Sequence, residues 1–240
     1  MTGERALKTR VAWACRILAM DGHVDLTLGH VSARSRDDDV YYMKCKDLGL
    51  DEVTPDDILT VDMDGNKVGD EGELHLEAAL HTEVYKVRPD VGAVVHTHPP
   101  FTTALSGTMA PLEYVSHDAV LFPDGLGVFE ETPELITLPE QGKAVAKALG
   151  ARRAVLMRNH GVLVVGQDVP WAVLAALTLE RAVRLQMIAS ALGPLSPIPT
   201  DMVQRLHPDK YRDSFTERYW EYLIRCVRRR GLDDGMPPEA

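Results

Sequence analysis

Cysteine, basic residues and long apolar runs are all scarce in this 240-residue sequence. The three cysteines are odd in number and far apart, which argues against a disulfide framework and favours a reducing compartment. Lys and Arg number 26 against 36 Asp and Glu, so the net charge is -10 and no nucleic-acid partner is expected. No apolar run approaches the roughly 20 residues of a membrane span, and the N-terminus lacks a signal-peptide core. We therefore expect a cytoplasmic protein without a membrane partner.

The spacing of apolar residues switches repeatedly between the period of a helix and that of a short strand. Helical spacing covers residues 5–20, 73–87, 139–149, 169–192 and 211–229. Strand patterns cover residues 27–34, 40–43, 59–62, 91–98, 154–157 and 161–165. This interleaving predicts an α/β fold of three layers around a mostly antiparallel sheet.

The helix predicted over residues 169–192 is apolar around most of its circumference, including Trp171, Leu179, Val183 and Ile188. A single domain rarely buries such a helix alone, and contiguous exposed apolar surface usually marks an interface. The pattern therefore predicts contact between subunits.

Two histidines end the predicted strand over residues 91–98. His96 and His98 are two apart, so both imidazoles extend from the same face and can approach one ion. His160, between two apolar runs, is a third candidate ligand, and three protein ligands with an open position are typical of catalytic zinc sites. A strand end with two hydrogen-bonded histidines is the alternative interpretation.

A polar stripe precedes this strand. Glu77, His81 and Tyr85 follow one another four residues apart, so they lie on one face of the predicted helix. In isolation such a stripe is typical of a solvent-facing helix. Beside a strand that carries metal ligands, a carboxylate here gains a role as acid–base or ligand.

Taken in order, these motifs resemble the class II aldolase/adducin family from about residue 5 to residue 192. The matching motifs are Gly29-His-Val-Ser-Ala-Arg34, the helix with Glu77, His81, Tyr85 and Arg88-Pro-Asp90, Ala93-Val-Val-His-Thr-His98, and Asn159-His-Gly161. We accordingly predict a family-type domain over residues 1–200, with residues 201–240 as its C-terminal helical extension.

The resemblance also implies a site and an assembly. It implies an α/β/α sandwich, assembled as a homotetramer with active sites between subunits. His96, His98 and His160 would bind a divalent metal, for which we expect Zn²⁺, with Mn²⁺, Fe²⁺ or Mg²⁺ as alternatives. Glu77 would be the catalytic acid–base residue and an occasional fourth ligand.

The sequence departs from the family's sugar-phosphate aldolases where those enzymes hold phosphate. Their Gly-Asn pair is matched here by Gly29 and His30, their Ser-Gly loop by residues 44–51, and their Ser-Ser pair by His75 and Leu76. Small hydroxyls and backbone amides suit a phosphate dianion, whereas a leucine does not. We therefore predict that the substrate is not phosphorylated.

Several basic side chains near these positions are candidates for binding a carboxylate or phenolate. His30, Lys44 and His117 are predicted to bind the small-molecule substrate, and Lys46 and His75 are weaker candidates. Lysines in a polar loop are often only solvated, which is the alternative for Lys44. The pattern resembles the decarboxylase branch of the family, which acts on hydroxylated aromatic or heteroaromatic carboxylic acids.

The favoured prediction is a metal-dependent carbon–carbon lyase that decarboxylates such an acid through a metal-stabilised enolate. One alternative is an aldolase that cleaves a hydroxy-carbonyl compound, unphosphorylated or phosphorylated, and a second is an iron-dependent oxygenase on the same fold. A non-catalytic module like that of adducin is the least favoured, because all three histidines and the glutamate are present.

Overall fold

A mixed sheet forms the centre of the computed structural model, which describes residues 3–237. Its strands are β1 (His30–Arg34), β2 (Val40–Lys44), β3 (Ile58–Asp62), β4 (Ala93–Thr97), β5 (Gly127–Phe129), β6 (Ala154–Met157) and β7 (Gly161–Gly166). In this part of the chain they lie in the order β3-β2-β1-β4-β7-β6-β5, and every pair except β5–β6 is antiparallel. The predicted mostly antiparallel mixed sheet is confirmed.

Helices cover both faces of this sheet. They are α1 (Glu4–Met20), α2 (Ala78–Val87), α3 (Pro100–Ser106), α4 (Pro139–Leu149), α5 (Val169–Leu192), α6 (Thr200–Lys210) and α7 (Asp213–Arg229), with single 3-10 turns at Pro55–Asp57 and Ala119–Leu121. One face packs against α2 and α4, and the other packs against α1, α3, α5 and α7. The three-layer α/β/α sandwich is therefore confirmed.

Alternating valines explain how the central strand β4 packs against the helices on both faces of the sheet. On β4, Val94 faces the α2–α4 layer and Val95 faces the opposite layer, because successive side chains of a strand point to opposite faces. Both side chains are fully buried, and each burial stabilises the fold by about 1.5–3 kcal/mol. The same alternation directs His96 to the face that α2 covers.

Strand register brings three strand ends to one edge of the sheet. His30 at the start of β1 pairs with His96 near the end of β4, and Thr97 pairs with Val162 near the start of β7. Because both pairings are antiparallel, the start of β1, the end of β4 and the start of β7 lie side by side.

Sequence patterns missed three of these elements and misplaced one helix start. The short helix α3, the strand β5 and the helix α6 lie in segments for which no regular structure was predicted. The helix predicted from residue 73 begins at Ala78. For α3 the cause is a distant partner: buried Glu180 on α5 accepts the backbone N–H groups of Phe101 and Thr102, which a local pattern does not reveal.

The long helix α5 is buried within a single chain over most of its length. Asp168 caps its first turn by accepting the N–H of Trp171 (2.9 Å), and Val183 is fully buried. Apolar side chains become exposed only near its C-terminal end, at Leu185, Met187, Ile188 and Leu192. Among residues 3–237, no helix combines the length and apolar content needed to cross a membrane.

Candidate metal centre

Three histidines converge at the shared strand edge. His96 and His98 extend from the end of β4, and His160 lies in the turn between β6 and β7, after Asn159 in a left-handed conformation (φ 56°). One ring nitrogen from each histidine lies within 4.8 Å of the other two. The closest approach is 3.1 Å, between Nε2 of His96 and Nε2 of His98.

Hydrogen bonds made by the Nδ1 atoms fix the tautomers of His96 and His98. His96 Nδ1 donates to the carbonyl oxygen of Val162, and His98 Nδ1 donates to the Asp25 carboxylate, each at 3.0 Å. Burial, with the neighbouring imidazoles of His96 and His160, lowers the pKa of His98 to about 4, so its ring is neutral at pH 7. Both Nε2 atoms therefore present lone pairs to each other, an arrangement that a cation between them would stabilise.

A buried carboxylate lies beside the three histidines. Glu77 immediately precedes α2, and its Oε1 accepts the backbone N–H of Ile136 (2.9 Å). Its Oε2 lies 3.5 Å from His96 Nε2, and its Oε1 lies 3.6 Å from His160 Nε2. Burial would raise the pKa of Glu77, but the imidazoles of His30 and His96 outweigh it and hold the pKa well below its ordinary value. The group is a carboxylate in the resting protein.

These groups fit a divalent cation. Three imidazole nitrogens beside one carboxylate match the ligand chemistry of zinc and similar ions. Two of the three rings make the outer hydrogen bonds that orient a metal-binding histidine. The assignment of His96, His98 and His160 as metal ligands and of Glu77 as acid–base nevertheless stays a prediction.

Two more histidines extend the cluster along its other flank. His30 is fully buried, and its ring centroid lies 4.0 Å from that of His75. The backbone N–H of Glu77 donates to His75 Nδ1 at 3.4 Å, which leaves the His75 proton on Nε2. Burial lowers the pKa of His75 to about 4, so this ring too is neutral at pH 7.

The predicted substrate-binding residues are placed differently from one another. His30 lies in the cluster, whereas Lys44 is fully buried at the end of β2 and donates to the carbonyls of Thr27 and Cys45. Lys44 is therefore not solvated, as a lysine in a polar loop would be. His117 is exposed, and in the described chain no hydrogen bond, ion pair or ring contact joins its side chain to the cluster. Lys46 pairs with Glu73 at 3.2 Å on the surface.

The alternative of a solvent-facing polar stripe does not hold for this helix. Glu77, His81 and Tyr85 are all at most 2 % exposed, because the stripe faces the sheet. His81 Nε2 lies 2.6 Å from His30 Nδ1, and Ser32 Oγ lies 2.6 Å from His81 Nδ1 and 2.7 Å from the Tyr85 hydroxyl. These polar partners on β1 satisfy a stripe that a one-helix pattern assigns to water.

Sequence reasoning also missed Asp25. This carboxylate lies in the irregular segment between α1 and β1 and binds His98 from outside the cluster. A lone aspartate in such a segment carries no spacing signal. Ser32 is different, because it lies within the Gly29–Arg34 motif and two residues from His30, so strand alternation could have placed it beside the site.

Comparisons with known proteins agree with this architecture. The profile of the class II aldolase and adducin N-terminal domain matches residues 9–187, and the chain belongs to this family. The resemblance inferred from the sequence motifs is thereby confirmed. Class II aldolases depend on a divalent metal, for which the three-histidine cluster is a candidate site.

Individual relatives cover nearly the whole chain. The chain is 35% identical over 229 residues to a 3,4-dihydroxyphthalate decarboxylase from Rhodococcus jostii (strain RHA1), covering 89% of this chain and 93% of that protein. An aldolase II superfamily protein from Pseudomonas syringae superposes with a TM-score of 0.85 at 28% identity, covering 97% and 96%. L-fuculose 1-phosphate aldolase from Glaciozyma antarctica PI12 gives 0.84 at 24% identity, covering 94% and 90%, a likeness of fold alone.

Proposed function

We propose that this protein is a metal-dependent carbon–carbon lyase that decarboxylates a hydroxylated aromatic or heteroaromatic carboxylic acid. His96, His98 and His160 would hold a divalent metal, for which we propose Zn²⁺, and Glu77 would be the acid–base residue. The observation that carries the proposal is the flank of the cluster, where the buried imidazoles of His30 and His75 stand in place of an asparagine and a serine of the sugar-phosphate enzymes. Similarity to a dihydroxyphthalate decarboxylase supports the same reaction class.

The chemistry depends on where negative charge develops. Loss of carbon dioxide leaves an electron pair on carbon, and the bound cation supplies fixed positive charge for it. Glu77, a carboxylate at rest, would first remove a proton from a substrate hydroxyl and then deliver that proton to the carbon. Because Oε1 is bound to the N–H of Ile136, Oε2 is the oxygen free to carry this proton.

Basic side chains give the flank its preference for an anionic oxygen. The Nε2–H of His75 can donate to a carboxylate or phenolate, and Lys44 adds positive charge from the buried end of β2. Leu76, where the aldolases have a serine, is 54% exposed and offers no donor. The flank therefore suits a carboxylate or phenolate better than a phosphate.

The proposed function also includes assembly into a tetramer and a substrate contact by His117. We propose a cytoplasmic homotetramer of single-domain subunits, with exposed apolar residues near the end of α5, such as Ile188 and Leu192, supporting contact between subunits. His117 lies on the surface of one chain, so it would reach a substrate only at a site completed by a neighbouring subunit.

A substrate panel tests the proposal. Hydroxylated aromatic acids, with 3,4-dihydroxyphthalate among them, are offered beside sugar phosphates, and carbon dioxide, aldehyde and oxygen uptake are followed separately. Metal-dependent release of carbon dioxide that Glu77→Gln abolishes is the expected result. Efficient aldehyde release from a sugar phosphate would favour the aldolase alternative and overturn the proposal, and stoichiometric oxygen uptake would favour the oxygenase.

A further inference from the structure

A chain of four polar side chains leads from the candidate site into the protein interior. It runs from His30 through His81 and Ser32 to Tyr85, with donor–acceptor distances of 2.6, 2.6 and 2.7 Å. All four residues are at most 1 % exposed, so water does not compete for these hydrogen bonds. The positions of the protons along the chain therefore follow from the protein groups themselves.

Tyr85 fixes which group donates in each of these hydrogen bonds. Within residues 3–237, Ser32 Oγ is the one hydrogen-bond acceptor recorded for the Tyr85 hydroxyl. Burial raises the pKa of Tyr85, so the phenol keeps its proton. If Ser32 donated to Tyr85 instead, the phenol proton would be buried without an acceptor, at a cost of about 1–3 kcal/mol. Tyr85 therefore donates to Ser32.

Each later bond follows from this first one. The single proton of Ser32 has no other acceptor among the described residues, so Ser32 donates it to His81 Nδ1, and the proton of the neutral His81 ring lies on Nε2. His81 Nε2 then donates to His30 Nδ1, which places the proton of the neutral His30 ring on Nε2. Burial holds the pKa values of both rings well below the ordinary value, in keeping with neutral imidazoles.

The resulting His30 N–H points into the candidate site. His30 Nε2 lies 3.7 Å from Glu77 Oε2, longer than a hydrogen bond, and has no hydrogen-bond partner among the described residues. An N–H directed at a carboxylate is favourable, whereas the reverse tautomer would direct a lone pair at it. His96 has the opposite tautomer, with its proton on Nδ1 and a bare Nε2.

We propose that Tyr85, Ser32 and His81 are positioning residues that lock His30 as a neutral hydrogen-bond donor aimed into the site. His30 is then a contact for an anionic oxygen of the substrate and not a metal ligand, although its nitrogen, His75 and Glu77 are close enough together to hold an ion. The substrate contact rests on the proposed lyase function, whereas the tautomers do not.

Neutron diffraction from deuterium-exchanged crystals of the metal-loaded protein tests the lock directly. Deuterium is expected on Nε2 of both His30 and His81, with neither Nδ1 deuterated. Deuterium on His30 Nδ1, or metal density within bonding distance of His30 Nε2, would overturn the proposal. Because this measurement needs no substrate, it decides the tautomers even if the protein proves not to be a decarboxylase.

Two substitutions of His81 test the positioning role in turnover. Glutamine retains one acceptor for Ser32 and one donor for His30, whereas leucine retains neither. His81→Leu should lower kcat about 10–100-fold, the range typical of removing an outer partner of a site residue, with bound metal unchanged. His81→Gln should recover most of that loss.

The matched control is Thr82→Val on the same helix. Thr82 is also buried, but its hydroxyl forms hydrogen bonds with the Tyr41 hydroxyl and the Ala78 carbonyl. Neither group belongs to the hydrogen-bonded series from His30 to Tyr85. The kcat of this variant should stay within about twofold of wild type, since the His30 chain is intact. Equal activity of the two His81 variants would contradict the positioning role. If His81→Leu does not fold, the neutron map alone decides.

Discussion

His96 has no exposed side-chain surface and lies on β4, the middle strand of the sheet. Replacing it with alanine removes one of the two lone pairs that face each other at 3.1 Å. Replacing a hydrogen-bond partner of a metal ligand typically lowers metal affinity about 10–100-fold. We expect His96→Ala, which removes a ligand itself, to lower it further, as measured by elemental analysis after dialysis. The fold should persist on circular dichroism, because the core is large.

His117→Ala provides the control for that experiment, since this histidine is exposed and outside the cluster. Its metal content should equal that of wild type. Full metal retention by His96→Ala would contradict the ligand assignment.

Glu77 is the second residue whose role can be isolated. Glutamine preserves the acceptor for the Ile136 N–H but cannot take up a proton at the other position. Glu77→Gln is expected to lower kcat by about 10²–10⁴-fold while the metal stays bound, as measured on the substrate that the panel identifies. Unchanged turnover would remove Glu77 from the acid–base role.

For individual residues, the sequence predicted which side chains form the site better than it predicted where their protons lie. His96, His98, His160 and Glu77 could be named from spacing and family motifs, and the structure brings them together. The tautomers could not be predicted, because they depend on Val162 and Asp25, which no motif connects to the histidines.

The start of β7 lies directly against the candidate site. A Cβ at Gly161 would lie 2.8 Å from the carbonyl oxygen of Thr97 and inside the contact distance of the His98 ring. Gly161→Ala is therefore expected to displace His98 and weaken metal binding at least about tenfold, as measured by competition with a chelator. At Gly3 a Cβ meets nothing within 4 Å in the described part of the chain, so Gly3→Ala is the control. Equal affinities of the two variants would contradict the steric argument.

Alternation and helical spacing predicted the elements whose signals are local. Strands such as β6 and β7 lie where apolar runs placed them, whereas α3 depends on Glu180, a residue about 80 positions away. Helical spacing alone would place the polar face of α2 in solvent, because the partner of His81 and Tyr85, Ser32, lies on β1. Local patterns do not report such long-range polar contacts.

For the molecule as a whole, buried neutral histidines predict sensitivity to acid. Burial lowers the pKa of His23 to about 4, and His75, His98 and His160 are lowered similarly. The unfolded chain, with pKa values near 6.5, binds more protons than the folded one between these limits. The free energy of unfolding should therefore fall as pH drops from about 6.5 to 4, by about 1.4 kcal/mol per pH unit for each histidine.

Urea unfolding of the metal-free protein at several pH values measures this slope. His23→Gln should reduce this slope by about one histidine's share. A stability that is flat between pH 4 and 6.5 would contradict the prediction.

The exposed apolar residues at the end of α5 predict assembly. Leu192 is 84% exposed and Ile188 is 48% exposed, although most of the helix is buried within one chain. We expect light scattering to report a tetramer at micromolar concentration, and the double substitution Ile188→Glu with Leu192→Glu to shift it to smaller species. A wild-type monomer would contradict the prediction. Met202→Glu, on α6, is the control.

One consequence of the Glu180 contact reaches beyond the site itself. Its carboxylate accepts two backbone N–H groups and the hydroxyl of Thr102 at the start of α3, which begins two residues after His98. These hydrogen bonds join the middle of α5 to the backbone that follows the candidate ligand His98. We therefore expect a shift of α5 along its axis to change the angle at which His98 presents its nitrogen. Ligand geometry at this edge of the sheet would then respond to contacts made at the exposed end of α5.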